Sequence, residues 1–279
     1  MLSQDQIAKF HRNGFLNGGS LLSGSEIHEL RNELDRILSI GAKGFPKDGP
    51  RPAAFHKLGN ETNRESCIWQ IVNIWEVSDA YFKLINHPFI VKAISQLTEA
   101  CDVLVWHDQI LYKTPGNSGA INWHQDAPLW PVISPMTPVS AWVALDDTNL
   151  ENGCLWMVPG SHCWGNQIKF LRTQAHLKRV EEFGDIKGFT PKVDQVIPQP
   201  WPVKKGEVSF HHSLTWHGSP LNKSQQPRRA IAIHYMTEET RFIASGEHVM
   251  KSLIDLPDGE FMNQAGEHFP FVMKDGIMI

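Results

Sequence analysis

The stretch Ile121-Asn122-Trp123-His124-Gln125-Asp126 sets a histidine and an aspartate two positions apart. Side chains alternate along an extended strand, so His124 and Asp126 would leave the same face and could grip a metal ion from one side. With 14 histidines in the chain, a His-x-Asp pair is expected about once by chance, so the pair alone decides nothing. A second cluster lies far downstream: Ser213-Leu214-Thr215-Trp216-His217-Gly218-Ser219, followed by Gln226-Pro227-Arg228-Arg229-Ala230-Ile231. A hairpin there would carry a histidine and an arginine toward one cavity. Two histidines and a carboxylate on three corners of an octahedron hold non-haem Fe(II) and leave three positions open, enough for a bidentate 2-oxo acid and O₂. The arginine then has a task, because the far end of a buried dicarboxylate needs a planar, permanently charged fork.

These residues must be positioned by the rest of the chain. Ser3 with Gln6 and Ser23 with Glu26 have capping-box spacing, and Ile27, Leu30, Leu34, Ile37 and Leu38 recur at helical intervals up to Gly41. From Lys43 to Arg64 the composition turns to proline, glycine and charge, which reads as a loop or lid. Helical patterning returns from Asp79 to Glu99, with a break at His87-Pro88. After Cys101 the period changes to two. Val103–Lys113, Ile121–Asp126, Val139–Asp146, Cys154–Val158, Glu207–His211 and Arg228–Met236 are predicted strands, with a helical insertion over Gln174–Gly184. Helices followed by many short strands predict an α+β protein with a mainly β, antiparallel sandwich or barrel at its centre.

At this level of detail the sequence resembles the phytanoyl-CoA dioxygenase family of Fe(II)/2-oxoglutarate oxygenases. The resemblance runs from Asn13-Gly14-Phe15 to Met236. Its most specific pieces are Trp123-His124-Gln125-Asp126, Asn152-Gly153-Cys154-Leu155 running into Val158-Pro159-Gly160-Ser161-His162, His217-Gly218-Ser219, and Arg228 eleven residues after His217. It implies a double-stranded β-helix (jelly roll, cupin-like) with the N-terminal helices packed on one sheet. It implies His124, Asp126 and His217 as iron ligands and Arg228 with Ser219 on the distal carboxylate of 2-oxoglutarate, with Trp142 and Lys113 lining that pocket. His211 and His212 lie near the distal cluster but lack the Gly-Ser that follows His217 and its interval to the arginine. Their plainer reading is a polar strand end.

Strand phase bears on the same assignment. Trp142 shares a face with Ser140 and Ala144, and Arg228 shares one with Ala230 and Ala232, so small residues beside the proposed ligand-binding ones leave room for a pocket. Arg229 points the other way, with the bulky apolar set Ile231, Ile233 and Tyr235. Gln109, in phase with Lys113, is a further candidate for the co-substrate pocket, with a satisfied core polar residue as the equal alternative. Trp130, Asn73 and Lys57 are the candidate substrate contacts, while core packing is the default for Trp69, Trp75, Trp106 and Trp201.

Composition narrows the partners. The 279 residues are 41% hydrophobic and 20% charged, too apolar for disorder, and a net charge of -4 offers no basic surface for nucleic acid or anionic membrane. No run approaches the roughly 18 apolar residues of a membrane span, and no apolar leader opens the chain. Cys67, Cys101, Cys154 and Cys163 are too scattered for a disulfide framework or zinc knuckle, so a reducing cytoplasm is the expected setting. The expected organisation is one domain over 1–279: a helical part to about 100 with its lid at 43–64, a core over 101–240 with an insertion near 165–200, and an extension from 241. The expected activity is hydroxylation of an unactivated carbon of a small molecule, with 2-oxoglutarate and O₂ giving succinate and CO₂ and ascorbate aiding turnover in vitro. Lys43, Lys47, Arg51, Lys57 and Arg64 weakly favour an anionic substrate. A zinc hydrolase and a non-catalytic jelly-roll binding protein are the rival readings. The oligomeric state has no signature in the sequence.

Overall fold

The computed structural model describes residues 1–46, 48–59, 67–135, 138–173 and 196–279. Both capping boxes form. Ser3 accepts from the Gln6 amide and the Gln6 side chain accepts from that of Ser3, which starts α1 (Gln4–Asn13). The Ser23–Glu26 pair does the same for α2 (Gly24–Ile40), which buries Ile27, Leu30, Leu34 and Ile37. Proline, tolerated in a first turn because its missing N–H has no helical partner there, divides α3 (Asp79–Ile85) from α4 (Pro88–Thr98). One further short helix, α5, spans Ile168–Thr173.

The strands are β1 (Phe15–Ser20), β2 (Ala54–Gly59), β3 (Cys67–Val72), β4 (Val103–Lys113), β5 (Ile121–His124), β6 (Ile133–Ser134), β7 (Val139–Ala144) and β8 (Leu155–Met157). They continue with β9 (Gln199–Trp201), β10 (Glu207–His212), β11 (His217–Ser219), β12 (Arg228–Thr237), β13 (Arg241–Phe242), β14 (Phe271–Lys274) and β15 (Ile277–Met278). A large antiparallel sheet runs β1-β10-β7-β12-β4, then branches along the free edge of β4 to β3–β2 and to β14–β15. A smaller antiparallel sheet has the order β5-β11-β8-β9. The pair is a curled jelly-roll core.

The two faces of the large sheet do different work. Its outer face, with Val143, Phe210, Ile231 and Ile233, packs on Leu34, Ile37, Tyr81 and Ile94 of the helices. Each such buried side chain stabilises the fold by about 1.5–3 kcal/mol relative to exposure. The inner face carries Trp142, Ala144, Ala230 and Ala232 against Leu155 and Met157 of the small sheet. The alanines keep this layer open near the site.

Several expectations change. The segment read as a lid, 43–64, contains strand β2, and the N-terminal part adds β1 and β3 to the sheet. Phe-Leu-Asn-Gly-Gly-Ser of β1 shows no alternation, and edge pairing with β10 rather than local propensity makes it extended. Residues beyond 241 are no appendage, since β14 pairs with β4 and Phe242, Met250 and Phe269 pack with Trp106 and Trp130. The insertion at Gln174–Gly184 lies outside the described residues, as do Lys47 and Arg64. No helix among the described residues is long and apolar enough to cross a membrane.

Candidate active site

His124 ends β5 and His217 begins β11, directly opposite across the small sheet, so both rings leave one face with their centroids 4.1 Å apart. Asp126 arrives differently from the strand alternation expected of it. β5 stops at His124, and Asp126 sits at φ -69°, ψ -56° as the cap of the turn Ala127–Leu129, which swings its carboxylate back over the two rings. His217 and Arg228 do not form a hairpin either: β11 belongs to the small sheet and β12 to the large one, and the chain crosses between layers.

The tautomers follow from the backbone. His124 Nδ1 lies 2.7 Å from the Asn122 carbonyl and His217 Nδ1 lies 2.9 Å from the Thr215 carbonyl. A carbonyl only accepts, so each Nδ1 carries a proton, and Nε2 is the atom each ring can turn inward as a lone pair for a metal. Both Nε2 atoms lie 3.5 Å from Asp126 Oδ1. Three electron-rich atoms, all within 4.8 Å of one another, then share one space. A divalent cation between them removes the repulsion, and the two-histidine, one-carboxylate set fits non-haem iron.

The other oxygen of Asp126 is held separately. Oδ2 accepts from His211 Nε2 at 3.0 Å and from the Ser140 hydroxyl at 3.3 Å. Ser140 in turn accepts from His234 Nδ1 at 2.7 Å. Burial pushes the His234 pKa down to about 3, so this ring is neutral and donates from Nδ1. Burial alone would raise the Asp126 pKa, but the His217 charge and the histidine hydrogen bonds outweigh it and hold the carboxyl well below its usual range. His211 is therefore no polar strand end. It is 2% exposed and orients a ligand, a role that alternation with Ser209 on the inner face could suggest but that no sequence spacing marks. His211→Leu is expected to weaken iron binding by about 10- to 100-fold, the usual effect of losing a residue that orients a metal ligand, as measured by anaerobic Fe(II) titration.

Arg228 opens β12 opposite Lys113, the last residue of β4. It is fully buried. Its Nε and Nη2 donate to the Gly153 carbonyl at 3.3 and 3.2 Å, Nη1 donates to the Leu111 carbonyl at 3.3 Å, and Nη2 also reaches Ser219 Oγ at 3.2 Å. The guanidinium carbon stands 5.6 Å from the centre of the Trp142 ring. Lys113 Nζ donates to the carbonyls of Ser219 and Pro220. Burial pushes the Arg228 pKa down to about 10; burial, then the charge of Arg228, pushes Lys113 well below its ordinary value. Among the described residues neither cation has a carboxylate partner. Arg229, on the opposite face, is paired with Asp146 at 2.9 Å, and Arg31 joins the same carboxylate. The uncompensated buried charge at Arg228 suits the far carboxylate of a dianion.

Gly153 explains part of the Asn-Gly-Cys-Leu motif. Its φ is +79°, and a Cβ there would stand 2.5 Å from the Pro220 carbonyl oxygen. The Asn152 side chain fastens the turn, donating to the Asp147 carbonyl at 2.7 Å and accepting from the Asn149 amide at 2.8 Å. Gly153→Ala is expected to lower the thermal midpoint by several degrees, since φ > 0 and the backbone clash add.

A cavity of about 310 Å³ opens over the three donor atoms, with Gln109, Trp130 and Trp142 among its walls. Arg228, Lys113 and Ser219 are not among the residues that line it, but Arg228 bonds the Leu111 carbonyl and stands against Trp142, both of which do line it. Two expected substrate contacts fall elsewhere. Asn73 has φ +57° at the start of the turn Ile74–Val77 and bonds Glu76 at 2.7 Å. The buried Asp108, which accepts from the Ile74 amide at 2.8 Å, fixes that turn on the far side of β4. Lys57 points out of the sheet, its Nζ 5.2 Å over the Trp69 ring, because alternation gives the cavity its neighbour Leu58. Trp106 and Trp201 pack in the core, stacked on Phe269 and edge-on to Phe15.

Iron on the three donors and a 2-oxo dicarboxylate reaching from it toward Arg228 would give the buried guanidinium its counter-charge, and this pairing defines an iron- and 2-oxoglutarate-dependent oxygenase. The chain belongs to the phytanoyl-CoA dioxygenase (PhyH) family, whose profile matches residues 10–230. Among its relatives, bovine phytanoyl-CoA dioxygenase domain-containing protein 1 is 27% identical over 92% of this chain and 97% of its own length. Rat peroxisomal phytanoyl-CoA dioxygenase is 25% identical over 98% of this chain and 81% of its own length. In fold, the chain resembles the non-haem α-ketoglutarate-dependent epimerase SnoN from nogalamycin biosynthesis, with a TM-score of 0.75, 22% identity and coverage of 96% and 95% of the two chains.

Proposed function

We propose that this protein hydroxylates a carbon of a small organic molecule held over His124, Asp126 and His217. The observation that carries this reading is the pairing of an inward-facing donor triad with Arg228, a buried cation with no carboxylate partner among the described residues. When bound, Fe(II) with 2-oxoglutarate and O₂ supplies the oxidising chemistry, yielding succinate and CO₂ and placing one oxygen atom in a substrate C–H bond. His124 and His217 would hold the metal through Nε2, each donating its Nδ1 proton to a backbone carbonyl. Asp126 contributes Oδ1, while His211 and Ser140 keep Oδ2 from rotating into the site. Arg228 and Ser219 bind the distal carboxylate, and Trp142 shields that pair from water. Lys113 ties the Ser219–Pro220 backbone in place, and Gln109 stands beside the co-substrate. The unpaired cysteines agree with a reducing, cytoplasmic setting.

Screening small molecules by succinate release, with Fe(II), ascorbate and ¹⁸O₂, tests the reaction class. The expected result is slow basal conversion of 2-oxoglutarate, stimulated by a compound whose product carries one ¹⁸O atom. Product formed with label from water and none from O₂ would contradict hydroxylation.

A further inference from the structure

The wall of the cavity built by the strands β2 to β5 has its own character. Leu58 of β2, Ile68 of β3, Leu111 of β4 and Ile121 of β5 line it, and Leu129 stands at its mouth beside Trp130. Leu58 and Leu129 are 49% and 37% exposed, so apolar surface faces water where a substrate would enter. Among the described residues no lysine or arginine lines the cavity, and its titratable groups are Asp126 and the four histidines around the metal donors. Of the basic residues expected to draw in an anion, Lys57 lies over Trp69 and Arg51 in a separate cleft with Asp48, Glu76 and Glu267.

One polar group in this wall has no occupation. Gln70 lies on β3 opposite Leu111, on the face shared with Ile68 and Gln109. It is half-buried, and among the described residues its carboxamide makes no hydrogen bond. A carboxamide both donates and accepts, carries no charge, and suits a hydroxyl, carbonyl or amide. It compensates a carboxylate poorly, because a carboxylate entering this aliphatic wall would be stripped of water without meeting a cation among the described lining residues.

We propose that the prime substrate is electrically neutral and largely apolar, with its hydrocarbon body seated on Leu58, Ile68 and Leu129 and one uncharged polar group read by Gln70. This rests on the oxygenase reading for the site, whose metal fixes which end of the cavity is reactive. Gln70 and Leu129 are then specificity-determining residues, and the anionic substrate expected from the basic segment is replaced.

The test compares two probes of one skeleton, 5-cyclohexylpentanamide and 5-cyclohexylpentanoate, titrated by calorimetry into protein loaded anaerobically with Fe(II) and 2-oxoglutarate. Occupying the Arg228 pocket with 2-oxoglutarate keeps the carboxylate probe out of it. The amide is expected to bind at least about tenfold tighter than the carboxylate. Gln70→Leu should weaken the amide by about two- to tenfold, the value of one neutral hydrogen bond. Leu129→Arg, at an exposed position where folding is safe, should narrow or reverse the preference. A carboxylate that binds as well as the amide, or no measurable amide binding at millimolar concentration, overturns the assignment. The absorption band of the Fe(II)–2-oxoglutarate complex, recorded before each titration, separates the two claims. Its presence with a carboxylate preference removes the substrate class alone, and its absence removes the oxygenase reading.

Discussion

His124→Ala is expected to reduce succinate formation to background, a loss exceeding the roughly 100-fold of an outer-shell change, while the protein stays folded. The ring lines the site cavity, so its removal enlarges an existing space rather than hollowing the packed core, and a third of the donor set disappears with it. Asp126→Ala should be as inactive but less stable. It strands the His211 and Ser140 donors in the interior, at about 1–3 kcal/mol for an unsatisfied buried group. His217→Ala carries a sharper test, because His211 stands with its ring centroid 4.8 Å from that of His217 and could be mistaken for the third ligand. Succinate assays and circular dichroism on His217→Ala and His211→Ala decide it. Retained turnover in the first with complete loss in the second would move the ligand to His211.

Arg228→Ala should weaken 2-oxoglutarate by about 30-fold to several thousand-fold. Truncating one partner of a buried, hydrogen-bonded charge pair costs about 2–5 kcal/mol, and each 1.4 kcal/mol is tenfold. Iron affinity should change far less, because the guanidinium reaches Gly153, Leu111 and Ser219 and none of the metal donors. Arg228→Lys should recover part of the loss, since an ammonium restores charge without the fork. A 2-oxo acid without a distal carboxylate should be indifferent to the substitution, which closes a double-mutant cycle between side chain and co-substrate. Arg229→Ala is the control. Its guanidinium is consumed by Asp146 on the opposite face, and an equal effect there would place the co-substrate on the wrong side of β12.

Much of this site was legible because local rules determined it. Capping boxes placed α1 and α2, period-two patterning placed β4, β7, β10 and β12, and the phase of β12 separated Arg228 from Arg229 before any contact was known. What escaped were features set by non-local pairing or by a break in regularity. Strand β1 is extended because β10 accepts it, and β3 because β4 does. The turn that aims Asp126 begins where the strand ends, so it is this turn and not strand alternation that brings its carboxylate to the two histidines. His211 and Ser140 meet Asp126 only after the two sheets close, and their sequence separations from it, 85 and 14 residues, follow no motif. Asn73 and Lys57 show the converse error. Proximity in sequence to a cavity wall is not entry into it: for Lys57 a single step along the strand reverses the face, and Asn73 lies past the end of β3 in a turn.

The central claim is that one pocket holds Fe(II) on His124, Asp126 and His217 while Arg228 holds the far end of 2-oxoglutarate. Anaerobic addition of Fe(II) and 2-oxoglutarate to the purified protein, followed by visible spectroscopy, measures both halves at once. The predicted result is a metal-to-ligand charge-transfer band that appears only with both components, is lost in His124→Ala, and needs much more 2-oxoglutarate in Arg228→Ala. No band in the wild-type protein, with Zn(II) rather than Fe(II) supporting activity and no oxygen consumed, would contradict the account and point to a hydrolase.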